Sequence, residues 1–311
     1  MKSARFDLVA LGEPLLEFNQ TRGAGDEYLQ GFGGDTSNCV IAAARLGATT
    51  AYVTRLGDDA FGRRFIDLWQ REGVDSSGVA IDADANTGIY FVTHGAAGHE
   101  FSYLRAGSAA SRMRPADLPL ELIRAAKVLH VSGISQAISA TACDTVFAAI
   151  DAARDAGARV SFDSNVRPKL WPLSRAKAVI VATMGLCDWF LPSFDEAVQL
   201  CGKDEPEAIL EWCHAQGAPI VALKMGGEGV WVSAGGAREH IPGMRVNALD
   251  ATGAGDCFDG AFAARVVAGD APLAAARYAN AAAALATTGY GAVAPLPRHA
   301  DVIALLATAG R

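Results

Sequence analysis

In the run Asn247-Ala248-Leu249-Asp250-Ala251-Thr252-Gly253-Ala254-Gly255-Asp256-Cys257-Phe258-Asp259-Gly260, Asp250 and Asp256 stand six positions apart and bracket Ala251–Gly255. The residues between them carry so little side chain that the backbone must be the working surface. After Asp256, Phe258, Ala261, Phe262 and Val266 recur at helical spacing, and Gly269 supplies a stop. Gly253, Ala254 and Gly255 therefore fall at a helix N-terminus, where free amide hydrogens and the positive end of the helix dipole attract an anion. Asp256 puts a carboxylate in the first turn beside that anion site. Like charges repel, so the pairing suits a base acting next to a phosphate. The chemistry implied is phosphoryl transfer.

The elements that must position this stretch alternate. Phe6–Leu11 reads as a buried strand ending at Gly12, and a mixed stretch from Leu15 to Gln30 could make short strands. Gly31-Phe32-Gly33-Gly34-Asp35-Thr36-Ser37-Asn38 leads into an alanine-rich helix from about Cys39 to Leu46, with Asp35 or Thr36 as its cap. A strand at Ala51–Thr54 and a helix carrying Phe61, Phe65, Leu68 and Trp69 follow. Between about Asp82 and Met113 the alternation breaks. Thr87–Val92 and Glu100–Arg105 look like strands without helices, which predicts a small antiparallel lid with the Leu15–Gln30 stretch. Strands at Val128–Ser132, Arg159–Phe162, Asp188–Leu191 and Pro219–Lys224 then alternate with helices, and a hairpin spans Gly229–Ile241. Alanine-rich helices close the chain. The expected fold is α/β: one domain over residues 1–311, with a mostly parallel sheet covered by helices on both faces and lid strands from about 13–32 and 86–113. Ligands in such folds bind beyond the carboxyl ends of the strands.

At 311 residues there is ample core for such a fold, and a net charge of −7 argues against nucleic acid or anionic membrane as the main partner. No apolar run approaches membrane-spanning length. The six cysteines are scattered without a CxxC pair, which reads as reduced thiols in a cytoplasmic protein. The six histidines form no HExxH. There is no GxxxxGK[ST], and Gly289-Tyr290-Gly291-Ala292-Val293-Ala294, although it fits GxGxxA, follows a helix and precedes two prolines. Neither a P-loop nor a dinucleotide fingerprint is present.

The Asp250–Asp256 motif together with Gly33-Gly34-Asp35-Thr36-Ser37-Asn38 resembles the ribokinase-like (PfkB) sugar kinases over nearly the whole chain. Ala251 stands where that family usually has threonine. The resemblance implies that Asp256 is the general base for a sugar hydroxyl and that Gly253, Ala254 and Gly255 form the anion hole for the transferring phosphate. Within the family, Phe162-Asp163-Ser164-Asn165-Val166-Arg167-Pro168-Lys169-Leu170-Trp171, Phe101–Arg112 and Leu129–Ser135 are similar to segments of 2-keto-3-deoxygluconate kinases. That implies an acid-sugar pocket lined by Gly34, Tyr90, Tyr103, Arg105, Ile134 and Arg167. The two arginines suit a carboxylate, which a guanidinium grips through two parallel hydrogen bonds. Fructokinases carry an arginine at the Arg167 position too, so Arg105 and Tyr103 discriminate better.

On the nucleotide side the resemblance implies ATP contacts from Asn165, Ser193, Lys224, Gly226, Gly229, Gly253, Gly255 and Asn280. The plainer reading of Asn280 is helix polarity. Mg²⁺ would be organised through water by Glu196, although Ser193 replaces the usual asparagine of that motif. Some members are activated by a monovalent cation such as K⁺, which the Asp250 loop could accommodate. The leading expectation is ATP-dependent phosphorylation of 2-dehydro-3-deoxy-D-gluconate. A neutral-sugar kinase such as a fructokinase is the runner-up, and a non-catalytic sugar-acid sensor comes behind it. Unpaired lid edges also suggest a homo-oligomer joined through the lid.

Overall fold

The computed structural model describes residues 5–21, 25, 27–95 and 98–309. The chain opens with β1 (Phe6–Leu11), β2 (Leu15–Gln20), β3 (Tyr28–Gly33), α1 (Asp35–Arg45), β4 (Thr50–Gly57), α2 (Ala60–Glu72) and β5 (Val74–Asp82). It continues through β6 (Ile89–Gly95), β7 (Gly98–Leu104), α3 (Leu120–Arg124), β8 (Ala126–Ser132), α4 (Gly133–Ala137), α5 (Ala140–Asp155), β9 (Arg159–Asp163) and α6 (Leu173–Met184). The remaining elements are β10 (Trp189–Phe190), α7 (Phe194–Cys201), α8 (Pro206–Ala215), β11 (Ile220–Lys224), β12 (Gly229–Ala234), β13 (Ala237–Pro242), α9 (Ala254–Val267), α10 (Pro272–Ala286) and α11 (His299–Ala309).

The large sheet has nine strands in the order β13-β12-β11-β10-β9-β8-β1-β4-β5, parallel from β11 onward, with the β12–β13 hairpin antiparallel at one edge. Strand residues alternate between two cores. Leu8, Ala10, Trp189 and Ala222 pack with α1, α2, α9 and α10, while Val9, Leu11, Phe190 and Val221 pack with α5, α6 and α8 on the other face. This two-sided burial explains why the parallel strands read as continuous apolar runs.

Sequence expectation and structure differ at several places. β5 was not expected because Val74-Asp75-Ser76-Ser77-Gly78 is polar; it forms an edge strand paired to β4, with much of its surface outside the core. α4 and α6 were also not foreseen. The small sheet, ordered β3-β2-β6-β7, is not wholly antiparallel: β2 and β6 run parallel, because each enters the lid from the same side of the large sheet's strand ends. The connections at 22–24, 26 and 96–97 lie outside the described residues.

α1 begins at Asp35, earlier than the apolar pattern alone predicted, and Gly34 occupies the cap position without a side-chain bond. Its first turn is polar yet buried, since each residue finds a partner. Thr36 Oγ1 meets Tyr52 Oη at 2.9 Å, and Ser37 Oγ accepts Trp69 Nε1 at 3.0 Å. Asn38 reaches across to α9. The two helices approach closely at Gly260, where a Cβ would lie 2.2 Å from the Cys39 carbonyl oxygen.

Candidate active site

Gly253 caps α9 in a left-handed conformation (φ 75°), and a Cβ there would lie 3.0 Å from three atoms of Ala292. Only glycine fits both constraints. Asp250 braces the approach: its Oδ1 accepts from Thr252 N at 2.9 Å and Thr252 Oγ1 at 2.6 Å, and its Oδ2 accepts from Gly291 N at 2.9 Å. Asp250 therefore ties two loops together, while Asp256 lies partly exposed in the first turn of α9. The backbone of Gly253–Gly255 sits at the positive end of a 14-residue helix, free of a side-chain cap.

Asp256 Oδ2 accepts from Asn38 Nδ2 at 2.8 Å. Enclosure by protein, reinforced by the negative charges of Asp35 and then Asp163, pushes its carboxyl up to about 7, against the pull of Asn38 and Lys224. The residue keeps partial contact with solvent, and water entering the cleft works against that rise. A carboxylate poised near neutrality is a competent base for a hydroxyl proton.

Beneath it lies a group of buried charges. Lys224 Nζ donates to Asp163 Oδ2 at 3.2 Å and to both oxygens of Asp259 at 3.0 and 3.1 Å. Its pKa is raised by the Asp163 and Asp259 charges despite burial, so the ammonium stays charged. Glu196 Oε2 accepts from Ser164 Oγ at 2.7 Å and Oε1 from Arg167 Nη1 at 3.2 Å. Burial and Asp163 raise the Glu196 carboxyl. Ser193 starts α7 and bridges by backbone to Lys224. Asn165 has φ 33°, a strained conformation for a side-chain-bearing residue, and its Nδ2 donates to Asp35 Oδ2 at 2.9 Å. Asp35 Oδ1 accepts from Thr36 N at 2.8 Å. Burial raises the Asp35 carboxyl, countered mainly by Ser132. Asn165 is thus tied to the same cluster as Asp256.

The lid supplies a second set of contacts. Tyr90 and Tyr103 sit opposite each other on β6 and β7, their rings stacked with centroids 5.8 Å apart. Tyr90 is buried and donates to Glu17; Tyr103 is 42 % exposed. Gly31 and Gly33 on β3 clear the way, since a Cβ on Gly31 would lie 2.8 Å from Glu17 Oε1 and one on Gly33 2.7 Å from Tyr90 Oη. Gly34, at φ 102°, passes within a Cβ's reach of the Glu13 carbonyl oxygen (2.5 Å). Arg105 Nε donates to Glu13 Oε2 at 2.7 Å, its Nη2 bonds the same oxygen, and Ser108 Oγ donates to Glu13 Oε1. Burial pushes the Glu13 carboxyl up, and Arg105 and Ser108 pull it down. Ile134 lies in α4, whose Gly133 has no room for a Cβ: one would be 2.0 Å from the Ser164 carbonyl oxygen.

Other expected nucleotide residues hold backbone together. A Cβ on Gly229 would lie 2.0 Å from the Ile241 carbonyl oxygen, Gly226 opens a short 3₁₀ turn at φ 57°, and Asn280 Nδ2 donates to the Pro242 carbonyl at 2.8 Å. Glu13, Glu17, Asp35, Asp163 and Asp259 were not singled out from sequence as site residues. The available signals were the strand-end positions of Glu13 and Asp163 and, for Asp259, its place three residues after Asp256 on the same face of the helix.

The family described as pfkB family carbohydrate kinase matches residues 3–299. This chain is a PfkB-family carbohydrate kinase. It is 35 % identical to a 2-dehydro-3-deoxygluconokinase of Thermoproteus tenax, over 96 % of this chain and 94 % of that one. It is 34 % identical to fructokinase-1 of rice (Oryza sativa subsp. japonica), over 97 % and 98 %. The solved fructokinase of Xylella fastidiosa with bound ATP matches at a TM-score of 0.88 and 26 % identity, covering 98 % of this chain and 99 % of that one. The PfkB kinase thus transfers phosphate to a sugar, while relatives acting on acidic and neutral sugars are similarly distant. Among the described residues no helix is long and apolar enough to cross a membrane.

Proposed function

We propose that this kinase transfers the γ-phosphoryl group of ATP to the terminal hydroxyl of 2-dehydro-3-deoxy-D-gluconate. Asp256 takes the hydroxyl proton, and the amides of Gly253–Gly255 receive the phosphate as charge builds on its oxygens. The carrying observation is Arg105 at the lid base beside Tyr103: Nε and Nη2 bind Glu13, and Nη1 makes no hydrogen bond among the described residues. Glu13 thereby holds the fork rigid, with one edge available for a sugar carboxylate. Gly34, Tyr90, Ile134 and Arg167 complete the sugar side, and Tyr90 and Tyr103 exclude water when the lid closes.

Lys224, Asn165, Ser193, Gly226, Gly229 and Asn280 border the nucleotide side in this reading. Both Glu196 oxygens already accept hydrogen bonds, which fits a group acting on Mg²⁺ through water rather than as a direct ligand. When bound, Mg²⁺ supplies charge neutralisation of the nucleotide phosphates. The exposed Leu29, Phe101 and Leu104 of the lid support pairing with the lid of a second copy; a monomer by light scattering would refute it.

A second reading, a neutral hexose such as fructose, has its own support. Glu17 brings a buried carboxylate beside Tyr90, within the influence of Asp250; such a group suits hydroxyls and repels an acid. A coupled ADP-release assay on 2-dehydro-3-deoxygluconate, its galactonate epimer, fructose and ribose tests the two. Faster turnover of either neutral sugar would overturn the keto-acid assignment.

A further inference from the structure

Lys224 closes β11, and its side chain is drawn inward under α9 rather than out along the loop that follows. Asp259 grips the ammonium with both oxygens, and Asp163 from β9 holds it from the other side. Asp259 and Asp256 lie three residues apart, on one face of α9. A Cβ placed on Gly255 would meet Lys224 Nζ at 3.5 Å and Cε at 4.0 Å. The ammonium therefore underlies the residue that carries a phosphate-binding amide. Asp259 is almost wholly buried, 1 % exposed. A buried ion pair is a poor way to gain stability, because apolar side chains of similar volume usually do as well or better. Two carboxylates around one lysine at this place ask for a functional reason.

We propose, taking Asp256 as the base, that Asp259 is a positioning residue of the phosphoryl-transfer centre: with Asp163 it fixes the Lys224 ammonium beneath Gly255, where the charge acts on the transferring phosphate and on the Asp256 carboxylate. A lysine on its flexible four-carbon stem is otherwise mobile and strongly hydrated. A charge fixed before the reaction needs no reorganisation as the phosphate moves. The groups facing Asp256 are Asp35 and Asn38 from α1, Asp163 from β9, Lys224 from β11 and Tyr90 from the lid. Asp259 reaches the base through Lys224.

The test uses Asp259→Asn, Lys224→Met and the double variant, with fold checked by circular dichroism and with whichever sugar the wild type turns over fastest. That choice separates the result from the keto-acid reading, and Asp256→Asn alongside separates it from the base assignment. Asp259→Asn lowers kcat about tenfold or more with little change in sugar KM, and moves the acid limb of the pH profile, which a merely structural role would leave in place. Lys224→Met/Asp259→Asn loses no more kcat than Lys224→Met alone, because Asp259 acts only through the lysine. The double variant removes buried charge of both signs together, so it keeps the comparison with wild type available where a single variant does not fold. Wild-type kcat and acid limb in folded Asp259→Asn, or losses that multiply in the double variant, overturn the proposal.

Discussion

The N-terminus of α9 and the β-sheet lid solve different problems. At α9 the working groups are backbone amides and short carboxylates, locked by close contacts: Gly253 against Ala292, Gly260 against Cys39, Asn38 on Asp256. The lid works through long side chains on a four-stranded sheet: stacked tyrosines, Arg105 on Glu13, and edge strands with Leu29, Phe101 and Leu104 exposed. The first region has almost no conformational freedom left, which suits placing a transferring phosphate. The second presents side chains that vary without any change in the backbone of the first. Acidic-sugar and neutral-sugar kinases at comparable identity to this chain fit that division.

The sharpest way to break the comparison is at Asp256, the proposed base. Asp256→Asn is expected to lower kcat by about three orders of magnitude while retaining ligand binding, as loss of a general base does; near-normal steady-state turnover would refute the assignment. The same variant has a stability signature. Asp256 titrates above the ordinary aspartate range in the folded chain, at about 7. Its contribution to stability is therefore present at low pH and is lost as pH rises toward and through 7. Asparagine removes that loss, so thermal melts at pH 8 should show Asp256→Asn at least as stable as wild type.

At the lid, Arg105→Ala is expected to cut kcat/KM for a keto acid about a hundredfold, the scale of a lost charge-assisted pair, with a smaller loss for a neutral hexose. Equal losses for both sugars would remove Arg105 from carboxylate recognition. Next in size is the acid limb of wild-type kcat/KM. It should fall about tenfold per pH unit below roughly 7 as Asp256 gains its proton; a limb centred near 4 would mean that solvent in the cleft cancels the effect of burial. Smallest is Gly260→Ala, one turn beyond Asp256 on α9. Its Cβ would lie 2.2 Å from the Cys39 carbonyl, so α1 and α9 must separate at a cost of about 1–3 kcal/mol. Thermal unfolding measures it, and an unchanged midpoint would show that the crossing is looser than it looks.

The Asp250–Asp256 stretch was legible in sequence because its pattern is local. Asp250, Gly253, Gly255 and Asp256 lie within one loop and one helical turn, and a helix N-terminus has the same donors wherever it occurs. The parallel strands were legible because burial on both faces leaves an apolar run. β5 was not, since an edge strand need not be apolar, and the parallel β2–β6 pairing was not, since nothing in either strand encodes its partner.

Sequence by itself determined the reaction type and the helix whose first turn holds Asp256. Tertiary structure decided which distant charges meet. Asn38 comes to Asp256 from 218 positions away, Glu13 to Arg105 from 92, and Lys224 is gathered between Asp163 and Asp259. The raised Asp256 carboxyl and the engagement of Arg105 follow from those meetings, because burial and neighbouring charge are properties of the folded chain and of no single segment.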